Sequence, residues 1–219
     1  MKLWVEVLDL VFPPKCPFCQ SILEEPRAPL CQDCQRKLPW LTGRAGERRV
    51  DLTGGCISPL AYRDQVPEAV RRLKFSRVRA YGGPFGALVA QCVRDRWSWM
   101  PEVITWAPLS RRRMRERGFD QAELIARAVG KELSLPVEPT LAKTRHTDPQ
   151  AEQKEAAERR RNAMNAYQLR PGAQVAGKRL LLVDDVVTSG ATLSECAQIL
   201  LQAGAKEVRC ATLAQARGD

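Results

Sequence analysis

The stretch LLLVDDVVTSGATL, from Leu180 to Leu193, decides how this chain folds. Leu180, Leu181, Leu182 and Val183 leave no polar face, as a strand covered on both sides requires. Two adjacent acids follow, Asp184 and Asp185, so the strand is expected to end at Val183. Thr188, Ser189, Gly190, Ala191 and Thr192 then lead into a helix. Gly190 permits a tight turn, and backbone N–H groups from Thr188 to Thr192 can converge on one point at the positive end of that helix. With three hydroxyl side chains added, the turn suits a monophosphate. It is neither a Walker A loop nor a dinucleotide-binding fingerprint, because neither glycine spacing is present. The acids would repel a phosphate, so they must face something else, and vicinal ribose hydroxyls fit. The plain alternative is an acidic turn with a Ser/Thr cap.

Outward from this stretch, strands alternate with helices. CISPLAY (Cys56–Tyr62), VITWAPL (Val103–Leu109), RLLLVDD (Arg179–Asp185) and EVRCATLA (Glu207–Ala214) read as strands. VPEAVRRLKF, FGALVAQCVRDRW, DQAELIARAVGKEL and ATLSECAQILLQAGA read as helices, the last ended by Gly204. The pattern predicts an α/β domain with a parallel sheet and right-handed crossovers. Ligands in such sheets bind at the carboxyl ends of strands. Two strand ends carry unusual chemistry: the acid pair with its turn, and the APLSRRR segment after Trp106.

Cys16, Cys19, Cys31 and Cys34 form C-x2-C-x11-C-x2-C. Two such pairs make the ligand set of a structural tetrahedral zinc, with no coordination position left for chemistry. Disulfides and a redox C-x-x-C are the alternatives. The first conflicts with the lack of a secretion signal, and the second leaves one pair unexplained. Cys56, Cys92, Cys196 and Cys210 lack ligand spacing and read as packed thiols. The polar stretch Leu41–Gly55 sets an expected division. Residues 1–50 would hold an N-terminal helix (Leu3, Trp4, Val7, Leu8 and Val11 on one face) and the cysteine module. Residues 51–219 would hold the α/β domain.

The chain has 219 residues, 44% apolar and 27% charged, with a net charge of +10 and no apolar run of membrane-spanning length. The N-terminus makes a poor signal peptide, since Glu6 and Asp9 interrupt it and no cleavage site follows. A cytoplasmic location is expected. Five arginines fall between Arg111 and Arg117, and three more at Arg159–Arg161. Such clusters attract phosphates. The second reads equally as a solvated helix face, and neither is interleaved with aromatics. Single-stranded DNA is thus a possible partner through its backbone, without sequence reading.

The order of apolar strand, acid pair and glycine turn resembles the signature of type I phosphoribosyltransferases, which bind 5-phosphoribosyl 1-pyrophosphate (PRPP). The four-cysteine module followed by LKF, APLSRRRMRERGFDQAELIA, TRHTDPQ, ERRRNAMNAY and the acid-pair stretch resembles the ComF family over nearly the whole chain. These are bacterial phosphoribosyltransferase-like proteins linked to the uptake of transforming DNA. The family often has Asn where this chain has Asp120, and Val where it has Ala107. The resemblance implies a type I phosphoribosyltransferase-like domain carrying a zinc-ribbon-like module. It implies Asp184 and Asp185 on the ribose hydroxyls and Thr188, Ser189, Gly190, Ala191 and Thr192 on the 5′-phosphate. Ser110 and Arg111 would belong to a pyrophosphate loop, Arg145 and Gln150 to a mobile loop, and Lys74 to the pyrophosphate or ribose. His146, the one histidine, reads as a solvated loop residue. Magnesium is expected with PRPP. Purine-type members often carry a general base four positions after the first acid; that position here is Thr188. Two functions remain: a PRPP-binding adaptor linked to DNA uptake or processing, and an active transferase, whether of an unknown acceptor or in nucleobase or nucleotide metabolism.

Overall fold

The computed structural model describes residues 13–75, 78–144 and 166–216. The expected N-terminal helix, Arg145, His146, Gln150 and Arg159–Arg161 lie outside the described residues. In chain order the helices are α1 Gln32–Lys37, α2 Val66–Phe75, α3 Gly82–Arg96, α4 Arg111–Arg117, α5 Gln121–Leu133 and α6 Ala191–Gln202. The strands are β1 Glu47–Arg48, β2 Cys56–Ile57, β3 Leu60–Ala61, β4 Val103–Trp106, β5 Leu141–Lys143, β6 Tyr167–Leu169, β7 Arg179–Val187 and β8 Glu207–Gln215.

The main sheet runs β1-β2-β8-β7-β4, with β3 also on β8. Every pairing in it is parallel except that of β1 with β2. The expected strand CISPLAY is split into β2 and β3. Pro59, between them, has no N–H to give the ladder, while Ser58 turns its hydroxyl to Thr212 at 2.7 Å. β5 and β6 pair antiparallel as a separate two-stranded unit.

β7 lies inside the sheet between β8 and β4, and Leu180–Val183 are completely buried. Side chains alternate across a strand, and the core follows that alternation. Leu181 and Val183 pack in a cluster with Phe85, Val89, Ile125 and Val129 of α3 and α5. Leu180 and Leu182 pack with Leu193, Cys196 and Leu200 of α6. Helices thus cover both faces of the sheet. α3 lies very close to α5 because Gly86 has no side chain: a Cβ there would sit 2.3 Å from the Ala128 Cβ.

The strand does not stop at Val183. It continues through the acid pair to Val187, with Asp184 opposite Thr212 and Val186 opposite Ala214. Branched Val186 and Val187 restore strand character after the acids. The expected end at Val183 is corrected accordingly, and the acids stand within the strand.

Candidate functional site

At the carboxyl end of β7 the ladder skips Asp185 and resumes at Val186. The Asp185 N–H donates to Asp184 Oδ1 at 2.8 Å, and the Val186 N–H donates to Asp185 Oδ1 at 2.9 Å. Each acid is thereby fixed by the next residue's amide. The alternation sends them to opposite faces. Asp184 lies on the α6 side and keeps some exposure, whereas Asp185 is 5% exposed on the α2 side. Burial, with the charge of Asp185 beside it, raises the Asp184 pKa well above the ordinary carboxylate value.

The turn Thr188–Gly190 passes directly into α6. Gly190 is left-handed, with φ of 82°, and caps the helix without a side-chain hydrogen bond. The first turn of α6 therefore presents N–H groups that the helix itself does not use. The Ala191 N–H has only a long contact, 3.4 Å, to Ser189 Oγ. Thr188 and Ser189 are exposed, Thr192 partly so. Val50 closes the turn from behind, 3.2 Å from where a Gly190 Cβ would lie.

Cations surround the pair. Lys74, in the last turn of α2, places Nζ 2.5 Å from Asp185 Oδ2. No hydrogen bond of good geometry completes that oxygen, which is fully buried. On the other face, burial and the nearby Arg113 charge lower the pKa of Lys143, and Lys143 Nζ donates to the Tyr167 hydroxyl at 3.1 Å. Glu195 of α6 accepts the N–H groups of Ala166 and Tyr167 and so ties β6 to the cradle helix.

The segment expected to be a pyrophosphate loop is largely helical. Ser110 is buried and caps α4, accepting the Arg113 N–H, and Gly118 ends the helix in a left-handed conformation. Arg111 and Arg115 point to solvent, while Arg113 and Arg117 are half-buried. Those two line a cavity of about 740 Å³ together with Lys74, Tyr62 and Phe75, and Arg117 stacks 5.0 Å over the Phe75 ring. Asp120 fixes this region. Its carboxylate accepts N–H groups from Leu109, Ala122 and Glu123, so one buried side chain joins the strand-end loop to α5.

The structure thus brings Asp184, Asp185, Lys74 and the Thr188–Thr192 turn together, and leaves Arg111 on the outside. The sequence reading missed Lys143, Tyr167, Glu195 and the inward pair Arg113 and Arg117. The i, i+4 spacing of those two arginines is the one signal that pointed to a shared face.

The four cysteine sulfurs lie within 4.8 Å of one another. A tetrahedral zinc with ~2.3 Å bonds holds its sulfurs ~3.8 Å apart, so the cluster fits a structural zinc. The Cys34 N–H points to Cys31 Sγ at 3.5 Å. For magnesium the fit fails. Carboxylate pairs suit that ion, but Asp185 already faces an ammonium group, and the two acids point to opposite faces.

Residues 119–219 match the phosphoribosyl transferase domain family, and residues 7–48 match the double zinc ribbon domain family. The DNA utilization protein YhgH of Salmonella typhimurium is 31% identical over 207 residues, covering 90% of this chain and 84% of its own. Competence protein F of Haemophilus influenzae is 29% identical over 92% of this chain and 90% of its own. This chain belongs to the ComF family. Competence protein ComFC of Bacillus subtilis is a more distant relative, 28% identical over 86% of this chain and 72% of its own. The ComF assignment accounts for both halves of the architecture, a phosphoribosyltransferase-fold domain with a mostly parallel sheet and an N-terminal zinc-ribbon module. Among the described residues, no helix of this ComF chain is long and apolar enough to cross a membrane.

Proposed function

We propose that this chain binds a 5-phosphorylated ribose, with PRPP as its ligand, and acts in DNA uptake or processing as a cytoplasmic PRPP-binding adaptor. One observation carries the reading. Asp184 stands on the α6 side of β7, in the last stretch of the strand, which leads through Val187 into the glycine turn and the first N–H groups of α6. An acceptor for hydroxyls and a cradle for phosphate then share one strand end on the α6 side, the pairing of groups that a ribose 5-phosphate requires.

In this reading Asp184 and Asp185 serve the ribose end, and Thr188, Ser189, Gly190, Ala191 and Thr192 hold the 5′-phosphate. Arg111, exposed to solvent, is left out of the pyrophosphate side, to which Lys74 and Ser110, with Arg145 and Gln150, belong. Arg113 and Arg117 join them there, since arginine matches phosphate oxygens with two donors at once. The chain divides near residue 50 into the zinc module and the ligand-binding domain. The link to DNA rests on relatives named for competence and DNA utilization. The adaptor is favoured over the transferase because Thr188 stands where a general base would be needed, and threonine cannot take a proton at neutral pH.

Calorimetry with ribose 5-phosphate and PRPP tests the reading. Both should bind the wild type, and adenine should not. Asp184→Asn should weaken both by tenfold to a hundredfold, the loss of a charge-assisted bond of ~1.5–3 kcal/mol. Equal affinity in the two proteins would reduce the acid pair to a structural turn. Acceptor-dependent release of pyrophosphate from PRPP would replace the adaptor with a transferase.

A further inference from the structure

The two acids are adjacent in sequence but are not equivalent. Asp185 belongs to α2, not to α6. Val66, Ala69, Val70 and Leu73 of α2 are buried in the core. They fix the helix so that its next residue, Lys74, extends along the cavity wall to Asp185. The Lys74 side chain is 23% exposed and that of Asp185 7%. The other Asp185 oxygen is held by the Val186 N–H. Burial works against the Lys74 charge, but Asp185 and Asp184 outweigh it, and its pKa stands above the ordinary lysine value. Arg117 adds a second positive field at Asp185.

We propose that Lys74 is the resident cation of the acid pair, occupying the position on Asp185 that a divalent metal would need, so that this site binds its phosphorylated sugar without a protein-bound metal ion. The physical ground is charge balance. A buried carboxylate needs a counter-charge within a few ångströms. An ammonium covalently tethered to a packed helix supplies it in every state of the protein, at no cost in association entropy. A divalent ion arriving at Asp185 would displace Lys74 into a wall that already carries Arg113 and Arg117. Removing the Lys74 charge reverses the preference: Asp185 is then a buried anion without a partner, open to a hard cation that takes oxygen ligands.

The test uses the full chain with its zinc in place, in buffer freed of other divalent ions, and manganese as the probe. Electron paramagnetic resonance should show no manganese bound to wild type or to Lys74→Arg in the absence of a sugar phosphate. Lys74→Met should bind one manganese, and a Lys74→Met/Asp185→Asn double variant should lose it. Manganese should also raise the Tm of Lys74→Met and leave that of wild type unchanged. If the methionine variant does not fold, Lys74→Gln takes its place, and the wild-type measurement stands on its own. Manganese bound by wild type and abolished by Asp185→Asn overturns the proposal, as does a folded Lys74→Met that binds none. A further arm rests on the ribose reading: ribose 5-phosphate should bind wild type equally, within twofold, with and without millimolar magnesium. A tenfold dependence on magnesium would count against the proposal. If the sugar phosphate binds in neither buffer, the ribose reading fails while the manganese results still decide the role of Lys74.

Discussion

Asp120 shows how much one side chain can hold. It is 3% exposed, caps α5 and grips Leu109 at the end of the β4 loop. Burial, only partly offset by its three backbone donors, raises its pKa to about 6 from 3.8. Between those values the folded chain holds a proton that the unfolded chain has released. Stability therefore falls as pH rises through that window, by up to ~1.4 kcal/mol per pH unit from this group. Asp120→Asn should flatten the pH dependence between pH 3.8 and about 6, because the amide carries no charge to bury. Since an amide has one acceptor oxygen, one N–H partner is lost, a pH-independent offset of ~1 kcal/mol. Urea midpoints of both proteins across this window measure the difference, and parallel curves would move the titration to another group. The sequence announced Asp120 as a departure from the family's common Asn, and its place before a patterned helix marks a cap. Its bond to Leu109 was not legible, because that depends on how the loop returns to α5. Lys143 and Tyr167 were invisible for a similar reason: they meet across 24 positions of chain through a strand pairing that has no local signal.

At the level of elements, α4 has two working faces. Arg113 and Arg117 turn inward to the cavity beside Lys74, and Arg111 and Arg115 turn outward. Arg112 is engaged with Glu116 at 2.9 Å. If the chain meets single-stranded DNA, the outward pair is the part of this helix that can reach its phosphates. Replacing Arg111 and Arg115 with Ala should reduce the slope of log K against log salt by ~1.4, about 0.7 for each single-strand phosphate no longer neutralised. The same change should leave ribose 5-phosphate affinity intact. Fluorescence anisotropy with an oligonucleotide at several salt concentrations gives the slope, and an unchanged slope would put the DNA-binding surface elsewhere. The long elements were legible because their apolar period was strong: the α2 reading VPEAVRRLKF coincides with Val66–Phe75. Short ones were not. β5 and β6 have three residues each, with no alternation to read, and β7 runs four residues past the Val183 end that its adjacent charges suggest. In the structure those charges are neutralised locally, by amides and by Lys74, so the ladder can resume at Val186.

Across the whole molecule, the zinc module is joined to the phosphoribosyltransferase-fold domain through one continuous core. Cys16, Phe18, Leu23, Leu30, Cys34 and Leu38 share a buried cluster with Val70, Leu73 and Phe85. The first knuckle is gripped from the other side as well. Arg72 of α2 donates to the carbonyls of Pro17 and Phe18 at 3.2 and 3.0 Å, the Tyr81 hydroxyl donates to Gln20 Oε1 at 2.9 Å, and Phe18 meets Phe85 with ring centroids 5.6 Å apart. The sequence marks a polar connection near residue 50, but it carries no sign that the two sides pack as one body. The consequence reaches the acid pair, because the helix that holds the knuckle through Arg72 also carries Lys74, two residues on. Loss of the metal leaves four thiols with no ion to organise them, frees the Pro17 and Phe18 carbonyls, and loosens α2 at its last turn. Cys31→Ser should therefore lower Tm in a single cooperative transition. Forfeiting ~3 kcal/mol in a chain of this length corresponds to on the order of 10 °C. It should also weaken ribose 5-phosphate binding several-fold, although the four zinc-module cysteines belong to a different part of the fold from the cradle. Calorimetric unfolding followed by ligand titration of the same variant checks both. Two separate unfolding transitions, with ligand affinity unchanged, would show that the module is an independent body and that α2 keeps Lys74 in place without it.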